Sequence, residues 1–270
     1  MGKTSVYFFS GSGNSLSIAK DLSRTLDAQL IDICSVSEQE EIKTDADAVV
    51  FVFPLYDFKA PAFYEKAILK MRDLGSKYIA AVCTYGISAS TGMIEFAAFI
   101  KKQGGLLSGG FAVKMPHNGI GCAIVKTGQD QKEFTHWKNR LEYVSGYIRD
   151  RKTGVLEKRS IVKEALFSGL IFKMLPTLAK IVKIAILKRW DSLAFVADEN
   201  CDRCGVCARI CPVGNIKIDD GRVLWVNKSC AGCMACFHWC PKGAVQFGSL
   251  KLNFRQYHHP EVTLKDMTRR

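Results

Sequence analysis

The sequence predicts an α/β doubly wound fold with a five-stranded parallel sheet, then a helical linker and a small α+β domain. Three observations carry this. Residues 1–150 alternate short β-branched and aromatic runs with stretches that are apolar at helical spacing, the pattern of strands and crossover helices. Residues 151–194 are apolar and basic, a linker by position. Residues 195–260 hold eight of the 11 cysteines in a duplicated run. Residues 261–270 are a tail.

Each element follows from its local pattern. Residues 5–10 form a buried first strand, SVYFFS, running straight into Gly11-Ser12-Gly13-Asn14-Ser15 and then a helical stretch over 16–22. Residues 29–33 and 48–54 read as the second and third strands. A helix over 61–72 carries Pro61 in its first turn, where proline is tolerated. Residues 77–85 form the fourth strand, 88–102 a helix, 109–115 the fifth strand and 129–149 a final amphipathic helix. Ligands of such sheets bind outside the carboxyl ends of the strands. Those ends are the loops at 10–15, 54–60 and 84–90.

The first of these loops suits an anion. Two glycines let the backbone curl, serine and asparagine side chains add donors, and the following helix contributes its N-terminal partial charge. The loop has no lysine, so it is not a Walker loop, and it is not G-x-G-x-x-G. A hydroxyl-rich cradle without lysine fits a phosphate held by hydrogen bonds, as in flavin mononucleotide (FMN). The competing reading is an empty Gly/Ser turn.

The duplicated run is C-D-R-C-G-V-C-A-R-I-C-P and, 29 residues on, C-A-G-C-M-A-C-F-H-W-C-P. Both copies have the spacing C-x2-C-x2-C-x3-C-P of two-cluster ferredoxins, in which the fourth cysteine serves the other cluster. By that rule one [4Fe–4S] cluster takes Cys201, Cys204, Cys207 and Cys240, and the other takes Cys230, Cys233, Cys236 and Cys211. Structural zinc needs four ligands, usually as two pairs, and does not call for this run twice. Disulfides need an oxidising compartment, and no secretory signal is visible. Cys34, Cys83 and Cys122 sit in apolar surroundings and read as core.

Charge is concentrated rather than spread. The net charge is +12, but residues 1–150 carry 17 Lys/Arg against 16 Asp/Glu, whereas residues 151–190 carry 10 against 2. A general nucleic-acid binder is therefore not expected, and the basic segment has no recognisable nucleic-acid motif. Its longest uncharged run, residues 165–172, is far too short for a membrane span. Either it is a pair of short helices packing two modules with Lys163, Lys173, Lys180, Lys183, Lys188 and Arg189 outward, kinked at Pro176, or it touches an acidic partner or anionic membrane surface. The myristoylation pattern fails at Val6. The expected location is the cytoplasm, with peripheral membrane contact as the variant.

Ser10-Gly-Ser-Gly-Asn-Ser15 resembles the phosphate loop of flavodoxins, T-x-T-G-N-T, with serine for threonine. Phe53-Pro54-Leu55-Tyr56 and Cys83-Thr84-Tyr85-Gly86 stand where flavodoxins place their two isoalloxazine loops. With the two-cluster tail, the chain resembles the fused flavodoxin–ferredoxin proteins of anaerobic bacteria and archaea, over residues 1–150 and 195–260. The resemblance implies that Ser10, Ser12, Gly13, Asn14 and Ser15 hold the FMN phosphate. It also implies that Pro54 and Leu55 carry one ring loop, that Tyr56, Phe58 and Tyr85 are the candidates to flank the ring, and that Thr84 and Gly86 meet its polar edge. Tyr56 and Phe58 compete for the stacking role, and either could be core instead.

Three smaller features complete the reading. Met115-Pro116-His117-Asn118 ends the fifth strand, so Asn118 or His117 could face the flavin, although a solvated turn is the favoured reading for His117. His238 and Trp239 most simply shield the second cluster from water. Tyr257-His258-His259-Pro260 reads as a tail docking across a module surface rather than as a metal site. No general base, nucleophile or dinucleotide fingerprint is evident. The expected function is an electron relay serving redox partner proteins. The alternatives are a flavin enzyme reducing a quinone, disulfide or nitro compound, and an adaptor acting through residues 151–190.

Overall fold

The computed structural model describes residues 2–119, 130–157, 195–226, 230–247 and 255–268. Its centre is a parallel sheet built from β1 (Thr4–Phe8), β2 (Gln29–Asp32), β3 (Ala48–Pro54), β4 (Tyr78–Tyr85), β5 (Leu107–Lys114) and β6 (Val155–Leu156), in the order β2-β1-β3-β4-β5-β6. All seven residues of β3 are buried. A strand covered on both faces needs a continuous apolar run, which explains why AVVFVFP does not alternate.

The crossovers are α1 (Asn14–Thr25), α2 (Ile33–Val36), α3 (Ala62–Ile68) and α4 (Gly92–Lys102), with α5 (Asp130–Arg149) leading to β6. Helix α1 buries Leu16, Ile18, Ala19 and Leu22. Helix α5 buries Trp137, Val144 and Ile148, and its Trp137 indole N–H donates to Asp21 of α1 at 2.8 Å. The order of the first five strands is the flavodoxin-like one, with its switch point between β1 and β3.

Two expectations need correction. The sheet has six strands, not five, because β6 pairs in parallel with β5. That strand lies at residues placed in the linker. A two-residue strand has no periodicity to read. Helix α2 was also not foreseen. Its cap is Asp32, whose carboxylate accepts from the Cys34 N–H at 2.9 Å. Cys83 is buried in the core as expected and Cys34 is half-buried. Cys122, Pro176 and the six cations named in the basic segment lie outside the described residues.

The C-terminal unit contains β7 (Phe195–Ala197), α6 (Val206–Ile210), β8 (Ile216–Asp219), β9 (Arg222–Trp225), α7 (Ala235–His238) and β10 (Val245–Phe247), with β7 antiparallel to β10 and β8 to β9. Helix α8 (Leu264–Met267) follows, with Thr263 and Asp266 forming its capping box. The duplication seen in the sequence recurs in the backbone. Left-handed φ values occur at Arg203 and Gly232, at Gly205 and Met234, and at Gly214 and Gly243, each pair 29 residues apart. The apolar core of the sheet continues into this unit through Val206, Ile210, Cys233, Ala235 and Trp239, and into the tail through Val262 and Met267.

Candidate functional site

At the switch point, a cavity of about 310 Å³ of atom-free space, part of it open to solvent, brings three loops together. Its wall includes Ser10, Ser12, Asn14 and Ser15 from the first loop, Pro54, Leu55 and Tyr56 from the second, and Thr84, Tyr85 and Gly86 from the third. Gly13 is the N-cap of α1, with φ +96°, so the chain can turn into the helix there without the clash a side chain would bring. Phe58 does not line the cavity. It is half exposed on a left-handed turn with Asp57. Met115, Pro116 and Asn118 complete the wall, whereas His117 stands outside it, packed on Gly86, with burial lowering its pKa.

The polar groups of the cavity are arranged as donors. Ser10, Ser12, Asn14, Ser15 and Thr84 are all buried. The Ser10 hydroxyl accepts from the Gly13 N–H at 3.0 Å, and the Ser12 hydroxyl accepts from the Asn118 amide. A hydroxyl that already accepts from the protein can give its own proton to an anion. Ser15 and Thr84 share a hydrogen bond of 2.8 Å across two loops. The first-turn N–H groups of α1 have no intrahelical partners and point the same way. This is a neutral donor set that fits a phosphate monoester.

The cysteines form two groups. Cys201, Cys204, Cys207 and Cys240 line one hollow of about 330 Å³ of atom-free space, walled also by Val206, Val223, Trp225 and Val245. Burial pushes the Cys207 thiol up to about 11, opposed by the Ala208 N–H, and the neighbouring Cys240, Cys201 and Cys204 add to the rise. Burial likewise drives Cys236 well above its ordinary value. Cys233 adds to it, the Trp225 indole opposes it, and Cys230 and Cys211 add again. The expectation from the sequence is that each set of four takes one cysteine from the other half. Crowded buried thiols resist ionisation until a cationic centre shares the charge.

Among the described residues, no three Cys, His, Asp or Glu converge closely enough to hold a single ion, and the first four cysteines instead surround a hollow. Backbone N–H groups donate to Cys211 from Asn215 at 3.2 Å and to Cys240 from Ala244 at 3.3 Å, again 29 residues apart. Such bonds stabilise sulfur-borne negative charge.

The two sites touch. A methyl placed on Gly11 would lie 2.5 Å from the Cys233 carbonyl oxygen, 2.7 Å from the Tyr56 hydroxyl and 3.3 Å from the Cys233 Cβ. The Trp239 indole N–H donates to the Gly11 carbonyl at 3.0 Å. His238 Nδ1 accepts from the Tyr257 N–H at 3.1 Å, which leaves Nε2 as the protonated nitrogen, 2.7 Å from the Asn118 carbonyl. Burial holds His238 down to about 4, so this tautomer is neutral near pH 7. His238 and Trp239 were read as shields for a cluster. Their observed contacts dock the cysteine-rich unit on the cavity loops, which no local pattern in the sequence could reveal.

The strand order and the doubled cysteine run thus define a flavodoxin-like α/β unit joined to an iron–sulfur unit. Residues 200–245 match the family model of the 4Fe-4S dicluster domain. No curated protein matches the chain. Solved structures similar to it include the Trp repressor binding protein of Bacillus subtilis, at 20% identity and TM-score 0.36, covering 52% of this chain and 96% of that one. A flavodoxin from the domain Archaea matches at 17% identity and TM-score 0.35, covering 53% and 99%. The rubredoxin oxygen:oxidoreductase of Desulfovibrio gigas matches at 13% identity and TM-score 0.39, covering 56% of this chain and 37% of that one. These scores are too low to carry weight, and the flavodoxin-like class rests on the strand order. Among the described residues, no helix is long and apolar enough to cross a membrane.

Proposed function

We propose that the chain is an electron-transfer protein that holds FMN in the switch-point cavity and one [4Fe–4S] cluster in each cysteine group. The observation that carries this is the contact between the Gly11 backbone and Cys233, which sets the flavin cavity directly against one cluster site. When bound, FMN exchanges two electrons and each cluster one, so the three centres convert between two-electron and one-electron donors.

The chain's own groups supply the setting. Ser10, Ser12, Asn14 and Ser15 would hold the phosphate with neutral donors, and the loops bearing Tyr56 and Tyr85 would flank the ring. The N–H groups of Asn215 and Ala244 would steady the two crossing cysteine ligands. Apolar neighbours such as Phe195, Ile216 and Phe237 exclude water from the cysteine groups. The order of centres is then the cluster of Cys201, the cluster of Cys233, and the flavin.

A relay is favoured over a reductase because no carboxylate, histidine, cysteine or lysine is among the described residues that line the cavity, so a substrate there would find no strong proton donor or nucleophile. Redox partner proteins are the expected donors and acceptors, in the cytoplasm.

The test is composition after anaerobic reconstitution. About eight irons, matching sulfide and about one acid-released FMN per chain are expected. Iron without flavin would remove the reading of the cavity, and zinc in place of iron would remove electron transfer altogether.

A further inference from the structure

The segment 256–262 connects the cysteine-rich unit to the first cavity loop. At one end the Gln256 amide donates to the carbonyls of Phe237 at 2.6 Å and Cys240 at 2.8 Å, and the His258 ring stacks on Trp239 with centroids 4.5 Å apart. At the other end the Tyr257 hydroxyl donates to Asn14 Oδ1 at 2.6 Å, and the His259 N–H donates to the Ser12 carbonyl at 2.9 Å. A Cβ on Gly13 would lie 3.1 Å from the Cβ atoms of both His259 and Val262, so the segment covers that loop closely.

Asn14 shows what this contact does. Its Nδ2 donates to the Pro116 carbonyl at 3.1 Å, and its Oδ1 accepts from Tyr257. An amide nitrogen carries two protons, so a second N–H remains on a residue that lines the cavity. Were the amide to flip, its oxygen would face the anion and repel it. The Pro116 carbonyl, which can only accept, opposes that flip, and the Tyr257 hydroxyl holds the amide in place by donating to its oxygen.

We propose that residues 256–262 are a strap through which the cysteine-rich unit completes the phosphate end of the flavin site, with Tyr257 as the positioning residue for Asn14. This rests on the cavity being the FMN site. The strap makes flavin affinity depend on a residue more than two hundred positions away in sequence. It acts on the phosphate end only, because neither Tyr257 nor His259 lines the cavity and both reach it through the first loop.

The experiment uses the full, cluster-loaded chain with flavin fluorescence quenching as readout. Tyr257→Phe is expected to weaken FMN binding about fivefold, the worth of one hydrogen bond, while riboflavin, which lacks the phosphate, binds as to wild type. In an Asn14→Ala background the same change is expected to add nothing. Equal losses for FMN and riboflavin, additive losses in the double variant, or no loss at all would overturn the strap. Loss of iron from Tyr257→Phe would assign the tyrosine to holding the cluster unit and overturn it as well. Wild-type protein that takes up no FMN would instead overturn the reading of the cavity, and the strap with it.

Discussion

Gly11 is where the absence of a side chain keeps two candidate cofactor sites in contact. The sequence marks it as one of two glycines in an anion loop, and that much is legible from Gly-Ser-Gly-Asn-Ser alone. The stronger reason for glycine lies in Cys233 and Tyr56, which no sequence spacing connects to it. A methyl 2.5 Å from a backbone oxygen cannot be relieved by turning a side chain, so the backbone on one side of the contact must shift. Gly11→Ala is therefore expected to destabilise the protein by about 1–3 kcal/mol, the usual cost of overpacking, and to weaken flavin retention. Thermal unfolding together with flavin content after gel filtration checks both. The cysteines are the opposite case. Their proposed roles come residue by residue from the spacing of the run alone. Phe58 shows the limit of such reading. An aromatic beside a loop can turn either way, and here it turns outward.

At the scale of elements, strands long enough to have a pattern were legible and short ones were not. The bounds 48–54 read from the sequence coincide with β3, while β6 and α2 gave no signal. The tail is an intermediate case. Its docking was expected from Tyr-His-His-Pro, but its target was not. His259 gives that docking a pH dependence. Burial holds its pKa to about 4, with Glu261 and Asp21 raising it and Lys138 lowering it, and its ring packs on Phe134 at 4.5 Å. In the unfolded chain a histidine titrates near 6.5. Between these values the unfolded state binds the extra proton, so stability is complete above about pH 6.5 and falls as pH drops towards 4. The most this one group can contribute is about 3 kcal/mol. His238, also held to about 4 by burial, adds a similar dependence. His259→Asn, which keeps a side-chain acceptor for the Glu261 N–H now bonded at 3.2 Å, is expected to remove up to about half of the loss of stability between pH 7 and 5, the rest coming from His238 and His117. Anaerobic denaturant unfolding at several pH values measures this. An unchanged slope would mean that His259 is not buried in solution.

For the molecule as a whole, the fold class and the two-unit organisation could be read from periodicity and repeat, but the mutual placement of the units could not. Placement depends on contacts such as Trp239 to Gly11, His238 to Asn118 and Tyr257 to Asn14, each between residues more than a hundred positions apart. That placement makes the two proposed cluster sites unequal, because Cys233 borders the proposed flavin cavity through Gly11. Two exposed cysteines allow the inequality to be tested with little effect on packing: Cys204 belongs to the first group and Cys230 to the second. With both clusters and FMN loaded, Cys204→Ala is expected to impair only the first cluster and to leave electron exchange between the second cluster and the flavin near the wild-type rate. Cys230→Ala should leave the first cluster's spectrum in place yet cut the flavin off from it. Stopped-flow reduction with simultaneous flavin absorbance and freeze-quenched EPR would separate the two. If Cys230→Ala left flavin reduction through the clusters unchanged while Cys204→Ala abolished it, the order of centres would be the reverse of the one argued here, and the Gly11 contact would not be the route.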